Sequence, residues 1–236
     1  MSRSRAAASA QIPLRLPAPP DQRLSTFVQA PPGAMASLHA LAVQPRSDWL
    51  FVEGPPATGK THLLLAVCAA ASEAGRRAAY VPLRSLSGRL AEALIGLDAS
   101  HVAALDDVHL AAGNREAEVA LFDFHNRMRD AGNGVLYAAA AAPAQLPWTL
   151  PDLRSRLGAC TRISLTPLDD AGRAQMLLAR AKVRGLRLEP AAVEWLLKRA
   201  ERDPHALIDL FERLDRASLA TQRRITVPFL AAFLDR

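Results

Sequence analysis

An unbroken run of eight residues, Gly54-Pro55-Pro56-Ala57-Thr58-Gly59-Lys60-Thr61, satisfies the pattern G-x-x-x-x-G-K-[ST] at each fixed position. The pattern constrains the fold because it works only where a strand hands over to a helix. Both flanks are present. Ser47 to Glu53 (SDWLFVE) reads as a short buried strand entering the loop, and His62 to Ala74 (HLLLAVCAAASEA) as a helix leaving it. In that arrangement the loop N–H groups and the helix N-terminus converge on phosphate oxygens. Lys60 supplies positive charge for the outer phosphates, and the Thr61 hydroxyl is suited to ligate Mg²⁺. A chance glycine-containing turn is the alternative, and it would require neither flank. The expectation is a nucleoside-phosphate site.

Beyond the loop, strands alternate with helical segments up to about residue 165. Ala78 to Leu83, His101 to Leu105, Gly134 to Ala139 and Thr161 to Leu165 read as further strands. Between them lie helices over Leu86 to Leu94 and Glu116 to Arg129, the latter with apolar positions Val119, Leu121, Phe122 and Met128. Such alternation predicts an α/β fold, a five-stranded parallel sheet with helices on both faces. After Pro167 the pattern turns purely helical, over 169–183, 190–200, 204–221 and 227–234. Gly185 suits a helix end, while Pro190 and Pro228 suit first turns. The expected organisation is a tail over 1–22, an α/β domain over 23–166 and a helical domain over 167–236.

Composition narrows the class further. Half of the 236 residues are apolar, enough for a sizeable core, yet no apolar run reaches the length of a membrane span. Met1 to Ala10 lacks the hydrophobic stretch of a secretory signal, so a disordered tail is the simpler account. The two cysteines, Cys68 and Cys160, have neither metal nor redox spacing and are expected to be reduced, buried and structural, in a cytoplasmic protein. The net charge of +6 permits contact with nucleic acid or an acidic partner without demonstrating either.

The third predicted strand ends in Asp106-Asp107, about 45 residues past the loop. That is where a nucleotide-binding sheet places its second metal-coordinating group. Asp106 would hold Mg²⁺ through water, and Asp107 would orient an attacking water. Taken alone, such a pair as often caps a helix or faces solvent.

Three segments resemble the nucleotide-binding module of the DnaA family of AAA+ proteins. They are Gly59-Lys60-Thr61-His62-Leu63-Leu64, Leu105-Asp106-Asp107-Val108-His109 and Leu121-Phe122-Asp123-Phe124-His125-Asn126-Arg127. Leu150 to Leu157 (LPDLRSRL) is similar to the segment that carries the arginine finger in DnaA relatives, and Leu214 to Ser218 with Ile225 to Phe229 resembles the Hda branch of DnaA-related regulators. The resemblance runs from about residue 11 to 236 with its segments in family order. It implies an AAA+ core with a helical lid, ADP or ATP with Mg²⁺ as cofactors, and the eight loop residues as nucleotide ligands.

The same resemblance assigns further roles. Gln11-Ile12-Pro13-Leu14-Arg15-Leu16 is similar to the motif by which Hda proteins bind the DNA polymerase sliding clamp (its beta subunit). Leu14 and Leu16 would fill an apolar cleft while the Gln11 amide bonds at its rim. Arg156 is implied as an arginine finger acting in trans on ATP bound to DnaA; Arg154 reads as a structural or surface residue. Two positions depart from the family. Ala140 replaces an acidic residue at sensor 1, and His205 stands where an arginine usually contacts nucleotide at sensor 2. A neutral histidine grips phosphate less than arginine does, and capping or surface duty fits His205 equally well.

With an intact loop and both sensors altered, nucleotide holding, with ADP favoured, is expected over rapid autonomous hydrolysis. The chain ends at Arg236, just after the last helix, so no DNA-reading helix-turn-helix is expected, and DNA would be met mainly through the clamp. A homodimer is left open and no membrane contact is expected. The implied function is an Hda-type negative regulator of replication initiation that stimulates hydrolysis of DnaA-bound ATP. An ATP-driven helicase loader or assembly factor is the alternative, and a direct DNA-binding adaptor is a third reading.

Overall fold

The computed structural model describes residues 22–86, 88–199, 207, 209–214, 216 and 225–234. The Gln11 to Leu16 segment and His205 lie outside the described residues.

Five strands form one parallel sheet in the order β2-β3-β4-β1-β5: Leu50–Glu53 (β1), Ala78–Pro82 (β2), Val102–Asp106 (β3), Gly134–Ala139 (β4) and Thr161–Ser164 (β5). Parallel strands need helical crossovers, and covering both sheet faces makes the central strands apolar throughout. β3 and β4 are accordingly buried at every residue, while edge strand β2 alternates between half-buried and buried. Alternate side chains feed two cores. Phe51, Leu105, Val135 and Tyr137 point into one; Leu50, Val52, Ala104, Leu136 and Ile163 point into the other.

The second of these cores is closed by Ala34–Val43 (α1) and Lys60–Glu73 (α2), through Leu38, Leu41, Leu63, Leu64 and Val67. The first is closed by Leu90–Ala93 (α3), Arg115–Asp130 (α4) and Pro151–Gly158 (α5), through Leu90, Leu121, Phe124, Met128, Leu153 and Leu157. Each fully buried leucine stabilises the fold by about 1.5–3 kcal/mol before conformational entropy is counted. A third cluster lies in the C-terminal part, where Asp170–Val183 (α6), Pro190–Arg199 (α7), helical residues 209–214 and the helix Val227–Leu234 pack Leu177, Leu196, Phe211, Leu214 and Leu230 together. Asp169 caps α6 by accepting from the Gly172 N–H at 2.7 Å.

Several boundaries move for identifiable reasons. β1 begins at Leu50 rather than Ser47, because Arg46 has a positive φ of 57° and Trp49 bonds sideways to the Asn133 carbonyl. β2 ends at Pro82, and Leu83–Ser85 turn into a 3-10 helix. The helix expected over Leu86 to Leu94 shrinks to Leu90–Ala93, since Gly88 takes a φ of +84° that no helix accepts. On α4 the expected core position Val119 is 39% exposed, while Glu118 beside it is fully buried. Cys160, just ahead of β5, is buried as expected; Cys68, on α2, is only half-buried. Burial nonetheless pushes both thiols up to about 12, so neither is a thiolate at neutral pH. Among the described residues no helix is long and apolar enough to cross a membrane.

Candidate nucleotide-binding site

β1 lies between β4 and β5, so the loop at its end emerges in mid-sheet, beside the carboxyl ends of its neighbours. Ligands of open α/β sheets bind at that crevice. The Gly54 N–H bonds back to the Ala139 carbonyl at 3.3 Å. A Cβ on Gly54 would stand 2.6 Å from the Leu165 carbonyl oxygen, so only glycine lets the chain leave the sheet here. At the far end Gly59 has a φ of 91° and forms the N-cap of α2. The helix starts at Lys60, two residues earlier than expected, inside the motif itself.

The Lys60 ammonium bends back to donate to the Gly54 and Pro55 carbonyls, each at 2.7 Å, and Thr58 Oγ1 donates to the same Pro55 carbonyl at 2.9 Å. Burial lowers the Lys60 pKa, and the charges of Asp106 and Asp107 oppose that shift. The loop is thus shaped as a closed ring around a cation. An entering phosphate would exchange neutral carbonyls for charged oxygens, which bond about twice as strongly.

Asp106, the last residue of β3 and 4% exposed, accepts from Thr61 Oγ1 at 2.6 Å and from its neighbour's N–H, that of Asp107, at 3.0 Å. It also accepts from the Tyr80 hydroxyl at 3.0 Å. Burial first, then Asp106, raises the Tyr80 pKa, so this phenol stays a donor. Thr61 and Asp106, 45 residues apart in sequence, therefore meet directly. Among the described residues no group of three or more His, Cys, Asp or Glu side chains forms a metal site of its own. Two oxygen ligands at a phosphate loop fit Mg²⁺ delivered with its nucleotide, since that ion keeps waters and phosphate oxygens in its shell.

Asp107 differs from its neighbour. It occupies the left-handed region at φ 57°, and its carboxylate accepts from Arg84 Nε at 3.0 Å. The cavity of about 520 Å³ above the loop is lined by these groups. Its other walls are Phe27 and Val28 ahead of α1, and Leu168, Met176 and Arg180 from the C-terminal part. An apolar wall facing a phosphate cradle fits a nucleoside base. Ala140 and His109 complete the phosphate end.

Sequence reasoning missed Phe27, Tyr80, Arg84 and His109 as cavity or site residues. An aromatic isolated in a polar stretch marks Phe27, and the alternation along β2 sets Tyr80 beside Asp106 only once the pairing Pro82 to Asp106 is known. Arg156 is absent from the cavity lining and stands on α5, expected only as a finger-bearing segment and not as a helix. Its guanidinium lies 4.6 Å from the centre of the Phe122 ring on α4, and its buried Nη1 has no hydrogen-bond partner among the described residues. Arg154 is exposed.

Buried Glu118 ties α4 to the start of α5. It accepts from the Gly113 N–H at 2.8 Å, the Thr149 N–H and hydroxyl at 2.9 Å, and the Leu150 N–H at 2.6 Å. These bonds outweigh its desolvation, so its pKa is lowered and the carboxylate stays charged.

Residues 170–234 match the family model described as the Hda lid domain. The chain therefore has an AAA+-type, DnaA-like fold, and its C-terminal part resembles the Hda lid. Its core resembles domain III of the Thermotoga maritima replication initiation protein DnaA, at a TM-score of 0.75 and 20% identity over 93% of this chain and 98% of that one. A replication initiator DnaA bound to AMPPCP and single-stranded DNA matches at 0.66 and 20% identity over 85% of this chain. The chain spans 65% of that longer protein. The Thermotoga maritima RuvB Holliday junction branch migration motor matches at 0.61 and 21% identity, over 87% of this chain and 69% of that one. The lid helices matched by the Hda model include α6, which supplies Met176 and Arg180 to the cavity.

Proposed function

We propose that this chain is an Hda-type regulator of replication initiation that holds an adenine nucleotide with Mg²⁺ and acts on ATP bound to DnaA. The observation that carries the reading is the separation of two cations. Lys60 is enclosed by its own loop, whereas Arg156 stands off the cavity on a short helix, half-exposed, with its guanidinium laid over the Phe122 ring. A guanidinium in that condition is suited to bridge phosphate oxygens on a neighbouring molecule and to neutralise charge that builds up in phosphoryl transfer. The Hda lid and the DnaA-like fold support DnaA as that neighbour.

In this reading Gly54 to Thr61 bind the chain's own nucleotide, with Thr61 and Asp106 sharing Mg²⁺ when it is bound. Bound Mg²⁺ would offset phosphate charge. Asp107, paired with Arg84, is poorly placed to activate water, so nucleotide holding is favoured over fast turnover. Gln11, Ile12, Leu14 and Leu16 would recruit the sliding clamp, and through it DNA; His205 would meet the nucleotide from the lid. The domain division near residue 167 belongs to the same proposal.

The test measures hydrolysis of DnaA-bound ATP with clamp loaded on DNA. Wild-type chain is expected to accelerate it. Arg156→Ala should fall to the unstimulated rate while still binding nucleotide, and a Gln11/Leu14/Leu16 alanine variant should lose only the clamp-dependent part. Identical behaviour of all three proteins defeats the proposal.

A further inference from the structure

At the phosphate end of the cavity the C-terminal residue after β4, Ala140, contributes only backbone. Its N–H donates to Nδ1 of His109 at 3.3 Å. A backbone N–H can only donate, so Nδ1 accepts and, in a neutral ring, the proton sits on Nε2. The ring is neutral at pH 7: burial, assisted by Lys60 and Arg84, lowers its pKa below 6.5 against the opposing pull of Asp107 and Asp106. The ring shares the cavity wall with Lys60, Arg84 and Asp107. Nε2–H has no hydrogen-bond partner among the described residues, and the side chain lines the cavity beside Ala140, Lys60 and Thr61. The β4 contact thus fixes both the tautomer and the placement of a free neutral donor.

We infer that His109 is a specificity-determining residue that donates Nε2–H to the third phosphate of a nucleoside triphosphate, doing from the turn after β3 what Ala140 cannot do from the end of β4. The inference rests on the nucleotide reading of the cavity. A diphosphate ends short of this position and gains nothing from the donor. A triphosphate gains one hydrogen bond to a charged oxygen, equivalent to about tenfold in affinity.

Calorimetric titration of the full chain with ADP and with AMPPCP, both with Mg²⁺, tests this. His109→Ala should weaken AMPPCP about tenfold and ADP less than twofold. His109→Gln places an amide N–H near the former Nε2 and should recover most of the loss, which a merely structural role would not allow. His109→Leu, of similar bulk without a donor, should repeat the alanine result and serves if the alanine variant unfolds. Equal changes for both nucleotides, or an unchanged ratio, overturn the role of His109 alone. Wild-type chain that binds neither nucleotide overturns the nucleotide reading and this inference with it.

Discussion

Lys60 and Arg156 are both cations carried on helices that border the sheet, yet they are held in opposite ways. Lys60 opens α2, is 9% exposed, and spends its charge on two carbonyls of its own loop. Arg156 lies in the last turn of α5, half-exposed, with an aromatic face beneath it and Nη1 unbonded. The first arrangement is built to exchange internal partners for a ligand that enters the cavity. The second leaves a half-exposed guanidinium stacked on an aromatic ring, with no ion-pair partner among the described residues, so that an acceptor from outside can meet its exposed part. One site is defined by enclosure and the other by incompleteness.

The sharpest way to break this comparison is Glu118→Ala. Removing that carboxylate strands the Gly113, Thr149 and Leu150 N–H groups, and urea unfolding should show a loss of about 3 kcal/mol or more. If the two sites are independent, nucleotide affinity changes less than twofold in the folded protein while stimulation of DnaA-bound ATP hydrolysis drops. Next in size is Lys60→Ala, expected to weaken ADP by about a hundredfold in the same calorimetric titration. Arg156→Ala should leave that affinity within twofold, and a parallel loss in both variants would merge the two sites into one.

Smaller effects refine the picture on the α4 side. Phe122→Leu removes the ring under Arg156 and should cost about 1 kcal/mol or less, read as a few-fold fall in stimulated hydrolysis at unchanged nucleotide affinity. His125, packed edge-on against Trp49 and bonded to the Tyr137 hydroxyl, has its pKa lowered to about 4 by burial and by the nearby Arg156 and Arg129. Between pH 6.5 and 4 the unfolded chain therefore binds the proton that the folded chain refuses, so stability is full above this window and falls as the pH drops through it. The loss is on the order of 1 kcal/mol once partial solvent access is allowed for, and a thermal midpoint series should flatten in His125→Gln.

How much was legible follows from the range of each interaction. The phosphate loop is local: its glycines, lysine and threonine act within eight residues, and the flanking strand and helix follow from apolar patterning. The four later strands were legible for the same reason, within a residue at either end. The α3 region failed because Gly88 overrides an amphipathic pattern. α5 escaped because eight residues carry too few turns for a period to emerge, and α1 because its apolar residues run almost continuously instead of marking one face. On α4 the pattern named Val119 as core and passed over Glu118, because a carboxylate is not expected inside until its four donors, more than thirty residues away for Thr149 and Leu150, are in view.

By itself the amino-acid sequence determined that this chain has a glycine-rich loop between a strand and a helix, a parallel sheet behind it and a helical C-terminal part, since these rest on short-range spacing and hydrophobic period. Only the tertiary structure decided which side chains complete the cradle. Parallel pairing of β2 with β3 brings Tyr80 to Asp106, and the β4 end brings Ala140 to His109. The contact between α4 and α5 lays the half-exposed Arg156 guanidinium on the Phe122 ring. Those are pairings across the sheet and between helices, set by register and packing, and no local pattern encodes them.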